Sequence, residues 1–168
     1  MKTLSLSSSG KAEKATDRIL VGVDLSKHSE ATAFFAAIVA KFFHADLTLA
    51  HVFPSEPRYD FVGEGTVRAF ERRRHEKATR LDQLTKKVRQ IVPGAEWTFL
   101  VGEPADEIAA FAYDNDIDLI VTGSHNSNIF SSLFGSNEPS NIMHQARCSV
   151  LVYNEKEGSK IRKSGAKR

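Results

Sequence analysis

Arg18-Ile-Leu-Val-Gly-Val-Asp24 is a short apolar run that ends on an acid. A run of this kind is the mark of a strand buried on both faces, and strands so buried belong to parallel sheets. The segments on its C-terminal side continue the pattern. Ser29 to Phe43 carries Ala33, Ala36, Ala37, Ala40 and Phe43 at helical spacing, with Ser26 or Ser29 as the cap. Asp46 to Phe53 predicts a second strand, stopped by Pro54 and Pro57. Thr66 to Val92 has helical spacing at Val67, Phe70, Arg74, Ala78, Leu81, Leu84, Val88 and Ile91, and its other face is charged.

Pro93-Gly94 ends that helix, and Ala95 to Val101 predicts a third strand. Pro104 opens a helix carrying Ile108, Ala109, Phe111 and Ala112, with Asp106 and Glu107 in the first turn, where acids are favoured. Asp118 to Thr122 is the fourth strand. A polar Gly/Ser/Asn loop, a short helix near Pro139 to Ala146 and a fifth strand from Cys148 to Tyr153 complete the pattern. Strands alternating with helices predict an α/β fold: a five-stranded parallel sheet with helices on both faces. Ligands of such sheets sit outside the carboxyl ends of the strands, where strand order reverses. That rule selects Asp24, His51-Val52-Phe53 and the loop beginning at Gly123.

The chain of 168 residues is 41% hydrophobic and 26% charged, enough for one compact domain and too short for two ordinary ones. Residues 1–17 and 154–168 are poor in large apolar side chains and read as disordered tails flanking a domain over 18–153. One cysteine excludes an internal disulfide framework. No apolar run is long enough to span a membrane and no secretion signal is legible, so a cytoplasmic protein is expected. The net charge of +2 is unevenly spread. Lys156, Lys160, Arg162, Lys163, Lys167 and Arg168 against Glu155 and Glu157 leave the C-terminal tail at +4. The domain itself holds 14 basic and 17 acidic residues, which argues against a dedicated nucleic-acid surface. The tail is read as a solubility element.

Asp24 is placed either to accept hydrogen bonds from a ribose or adenine, or to cap the following helix. Gly123-Ser-His-Asn-Ser-Asn128 and Gly135-Ser-Asn-Glu138 are small and polar. Such residues let backbone N–H groups approach an anion, and they also make ordinary surface loops. A dinucleotide fingerprint and a Walker A lysine are absent. Asp24 lacks the acidic neighbours of a phosphoacceptor domain. His51 and His125 have no nucleophile poised beside them, and His28, His44, His75 and His144 show no metal-ligand pattern. Cys148 reads as a small core residue. Arg72-Arg73-Arg74-His75, with Lys77 and Arg80, is interleaved with Glu71 and Glu76 and reads as a solvated helix face.

Five blocks taken together carry a resemblance. They are Ile19-Leu-Val-Gly-Val-Asp24-x-Ser26-x-x-Ser29, Leu47-Thr-Leu-Ala-His-Val52, Val101-Gly-Glu-Pro-Ala105, Asp118-Leu-Ile-Val-Thr-Gly-Ser-His125 and Cys148-x-Val-Leu-Val152. In this order they resemble the universal stress protein family over about Arg18 to Tyr153. The resemblance implies an adenine nucleotide alpha-hydrolase-like sheet of strand order 3-2-1-4-5, a homodimer often joined through the last strand, and, in one branch, ATP or AMP in the crevice. It implies a site of Asp24, Val52, Thr122, Gly123, Ser124, His125, Asn126, Gly135, Ser136 and Asn137, with no catalytic residue and no metal.

The nucleotide-binding branch carries Gly-x-x-Gly, nine residues, then Gly-Ser or Gly-Thr. Here Gly123 matches the first glycine, Asn126 stands at the second, and eight residues precede Gly135-Ser136. Asn tolerates a left-handed backbone, but its side chain crowds a phosphate held by close backbone approach. The adenosine end is thus expected intact and the triphosphate end compromised. The alternatives are a dimeric interaction module without nucleotide and, as an enzyme, a slow ATPase.

Overall fold

The computed structural model describes residues 16–53, 55, 64–123 and 146–153. In chain order they form β1 (Arg18–Gly22), α1 (Ser29–Phe43), β2 (Asp46–Phe53), α2 (Glu64–Val88), β3 (Glu96–Val101), α3 (Pro104–Asp114), β4 (Leu119–Gly123) and β5 (Ser149–Tyr153). The strands make one sheet in the order β3-β2-β1-β4-β5, and every neighbouring pair is parallel. The α/β expectation and the strand order 3-2-1-4-5 are both realised.

β1 is central and its apolar run is divided between two cores by the two-residue period of a strand. Ile19, Val21 and Val23 face one side, where Ala33, Ala36, Ala37 and Ala40 of α1 and Leu81, Leu84 and Val88 of α2 cover them. Leu20 faces the other side with Ala50, Val52 and Ile120, under Ile108 and Ala112 of α3. The alanines of α1 let that helix lie close on the sheet, so its larger side chains point sideways or outward. Ile38 and Phe42 are exposed, and Phe35 stacks on Tyr153 of β5 with ring centroids 4.5 Å apart.

Several expected boundaries shift. α2 ends at Val88, not Val92. Past it the ladder tightens from Arg89 N–H on Thr85 O to Gln90 N–H on Lys87 O and Ile91 N–H on Val88 O, a three-residue spacing that closes the helix ahead of Pro93. Arg74, included in the apolar spacing of α2, is exposed, while Thr85 is fully buried and returns its hydroxyl proton to Leu81 O. Neither Ser26 nor Ser29 caps α1: His28 stands at the N-cap without a side-chain bond, and Ser29 is the first helical residue. The serines serve Asp24 instead, as described below. Of the fourth predicted helix, residues 139–145 lie outside the described residues, and Ala146 is buried but not helical.

Candidate functional site

The order of the sheet reverses at β1, which has β2 on one side and β4 on the other. The registers Gly22↔Ala50 and Gly22↔Thr122 bring the carboxyl ends of the three strands abreast. Asp24 follows directly, after Val23 N–H has made one last bond to Ala50 O. The backbone then turns sharply at Leu25, whose φ of +60° is uncommon for a bulky residue and is held by burial of its side chain.

That turn folds the following residues back onto the Asp24 carboxylate. Ser26 N–H donates to Asp24 Oδ1 at 3.0 Å, an Asx turn, and the buried Ser29 hydroxyl donates to the same oxygen. Ser26 Oγ in turn accepts from His28 N–H at 3.3 Å. Partial burial pushes the Asp24 carboxyl up, but the Ser29 and Ser26 hydrogen bonds outweigh it and hold the group below the usual carboxylate range. Asp24 is therefore an oriented, ionised acceptor at the crevice. Both of these donors land on Oδ1.

Val52 and Thr122 occupy the neighbouring strand ends. Val52 is part of the core beneath α3, so its backbone is what it presents at the end of β2. Thr122 pairs with Gly22 on the α3 side and is 1% exposed. Among the described residues its Oγ1 has no hydrogen-bond partner, an unusual condition for a buried hydroxyl. Gly123 is required by close approach, because a Cβ there would stand 2.7 Å from Thr32 Oγ1 in the first turn of α1. Ser124, His125, Asn126, Gly135, Ser136 and Asn137 lie outside the described residues. Asp24, Val52, Thr122 and Gly123 are brought to one edge of the sheet.

His51 is buried, with Nδ1 at 2.8 Å from Val23 O. A carbonyl only accepts, so Nδ1 carries the proton. Burial is the largest influence on this ring and lowers its pKa, and the charge of Lys77 adds to the effect. The ring tilts against Phe99 at 5.6 Å. It ties β2 to the end of β1 and holds the base of the Asp24 turn.

One residue at this place escaped the sequence reading. Lys77 reaches from α2 and donates through Nζ to Asp24 O at 3.2 Å. Burial lowers its pKa first, the Arg80 charge lowers it further, and Asp24 opposes both. The signal was present: Lys77 precedes Leu81, Leu84 and Val88 at intervals of four, three and four, on the buried stripe of the helix. A lysine on that stripe was hidden among the surrounding arginines. Among the described residues no group of three metal-ligating side chains occurs, and no helix is long and apolar enough to cross a membrane.

Known proteins share this fold. The sequence profile of the universal stress protein family matches residues 15–154. A universal stress protein of Thermus aquaticus is 30% identical over 134 residues, spanning 80% of this chain and 96% of that protein. A universal stress family protein of Burkholderia pseudomallei superposes with a TM-score of 0.63 at 22% identity, over 83% of this chain and 97% of that one. The universal stress protein of Archaeoglobus fulgidus in complex with dAMP does so with a TM-score of 0.59 at 21% identity, over 82% and 98% of the two chains. A parallel sheet whose order reverses at β1, with helices on both faces, defines a doubly wound α/β domain. The chain belongs to the universal stress protein family.

Proposed function

We propose that the protein binds an adenine nucleotide, AMP or ATP, in the crevice at the carboxyl ends of β1, β2 and β4. The observation that carries the reading is the Asp24 carboxylate at the switch point: ionised, and oriented by Ser26 and Ser29 through Oδ1. The dAMP complex of the structural relative supports it. Asp24 Oδ2 accepts a ribose hydroxyl or the adenine amino group, and the Val52 main chain meets the base edge. Thr122, Gly123, Ser124, His125, Asn126, Gly135, Ser136 and Asn137 form the phosphate end. Asn126 in place of a glycine narrows that end, so a mononucleotide is preferred over ATP. The role is to hold nucleotide in the cytoplasm and not to turn it over.

The protein acts as a homodimer in this reading, joined through β5. That strand is the edge of the sheet, its Val152 is 38% exposed, and an unpaired apolar edge invites pairing with a copy of itself. The test begins with protein purified without added nucleotide. Its bound small molecules are released by denaturation and identified by mass spectrometry, and stripped protein is titrated calorimetrically with AMP and ATP. Low-micromolar binding with AMP ahead of ATP is the expected result. An empty protein and no heat at millimolar nucleotide would refute the reading and leave the dimeric interaction module, which the Asn126 substitution favours.

A further inference from the structure

We infer that Phe35, Ile38 and Phe42 of α1 form a docking face for a second copy of this chain, with Phe42 meeting Tyr153 of the partner subunit. The inference rests on the β5 pairing proposed above and adds a helix face to it. α1 has two flanks. One is turned to α2, where Glu30 pairs with Lys87 at 3.0 Å. The other is turned to β5, where Phe35 stacks on Tyr153. Ile38 and Phe42 follow Phe35 at intervals of three and four, which keeps them along that second flank. Ile38 is 60% exposed and Phe42 78%, and the Phe42 ring meets Phe43, itself exposed, edge to face.

The handedness of the fold explains why this flank is bare. α1 and α2 share one face of the sheet with Leu151, and α3 shares the other with Val150. Right-handed crossovers send the connection from β4 to β5 over the α3 face, and Ala146, shortly before β5, packs there. Among the described residues, the flank of α1 is therefore the sole cover of β5 on the α1 face. Ile38, Phe42 and Phe43 bare roughly 350 Å² of apolar side chain, the size at which a patch marks a contact. A standard interface takes ~800 Å² from each partner, so the stripe is too small to hold a partner by itself. It reaches that size together with the adjoining edge of β5, whose outward N–H and C=O groups call for another strand. A second copy answers both needs at once, because one two-fold axis pairs the strands and brings the two stripes to the same seam.

The geometry of that seam assigns a partner to Phe42. Identical strands paired across a two-fold axis run antiparallel. With the axis at Leu151, the middle of β5, Ser149 of one copy lies beside Tyr153 of the partner subunit. α1 runs against the strands, so Phe42 stands about 10 Å nearer their amino ends than Phe35 does. Phe35 marks the level of Tyr153 in its own chain, and Ser149 lies ~13 Å below that level. Phe42 is thus close to the level of Ser149, where Tyr153 of the partner subunit arrives. Each Tyr153 is then held between Phe35 of its own copy and Phe42 of the partner subunit.

Sedimentation velocity on the full chain, over a wide concentration range, reads the dimer. Phe42→Lys and Ile38→Lys should each weaken it by at least about tenfold. Both positions are exposed, so thermal melting should show the fold intact. Val101→Lys on β3, at the opposite edge of the sheet, should leave the dimer within about twofold. With Phe42→Ala and Tyr153→Ala, the double variant should fall short of the product of the single losses by about two- to tenfold. Strictly multiplicative losses would overturn the Phe42–Tyr153 contact. A dimer that Val152→Lys breaks and both α1 variants keep overturns the inference and leaves the β5 pairing standing. A dimer that the α1 variants break and Val152→Lys keeps supports the α1 face and refutes the strand pairing. A chain that is monomeric throughout overturns both, while nucleotide binding is read separately by calorimetry.

Discussion

Removing the Asp24 carboxylate tests the site and its local structure together. In Asp24→Ala the Ser29 hydroxyl, 5% exposed at the start of α1, loses its acceptor. Leaving a buried donor without a partner costs ~1–3 kcal/mol. Ser26 is exposed, so its N–H turns to water at little cost. The folded protein should therefore lose ~1–3 kcal/mol, a fall in Tm of roughly 3–10 °C for a domain of this size. The companion variant Ser29→Ala removes the stranded hydroxyl. Because the two residues share one bond, the double variant should be about 1 kcal/mol more stable than the sum of the single losses. Urea denaturation of the four proteins of this cycle measures that coupling. Adenosine affinity should fall by ~1–3 kcal/mol in Asp24→Ala and much less in Ser29→Ala, where the carboxylate remains. Strict additivity of the two stability losses would refute the account of Asp24 as the anchor of its turn. Unchanged adenosine affinity in Asp24→Ala would remove the residue from the site.

Asp24 also sets an acid limit on stability. Its folded-state pKa lies below its ordinary value of 3.8, so its contribution is complete above that value and is lost as pH falls through the folded pKa. Urea denaturation across this range should show a stability slope that Asp24→Asn lacks. His51 is depressed below 6.5 by burial, so the unfolded chain takes up the proton first and stability declines as pH falls beneath 6.5. His51→Gln should flatten that part of the profile. Gly123→Ala drives a methyl to 2.7 Å from Thr32 Oγ1 on a stiff helical side chain, and should cost ~1–3 kcal/mol by thermal melting. Leu81→Ala empties a fully buried position between α2 and the sheet, and a loss of ~2–5 kcal/mol in chemical denaturation is expected.

The architecture was legible because each segment's pattern and its burial have the same cause. β1 is apolar and buried from Ile19 onward since both its faces are covered, and α1 and β2 run over the residues their patterns predicted. Boundaries moved where hydrogen-bond geometry and not hydrophobicity made the choice, as at the three-residue spacing that ends α2. Pro104 and the acids after it marked the start of α3 correctly, because proline suits a first helical turn and little else in a helix.

At the site the division is sharper. From the sequence alone came an acid after an apolar strand, the small residues from Gly123 onward, and the five ordered blocks that place the chain in its family. All of these are local and depend on a few consecutive residues. The roles of Ser26 and Ser29, the tautomer of His51 and the position of Lys77 over Asp24 were decided by the tertiary structure. Lys77 and Asp24 are 53 residues apart in the chain, and His51 and Val23 are 28 apart. The helical stripe says only that Lys77 faces inward. What it meets there depends on how α2 lies across the sheet, which is settled by the packing of Leu81, Leu84 and Val88 against β1 and α1. A period of 3.6 specifies a face, and only the packed partner specifies a contact.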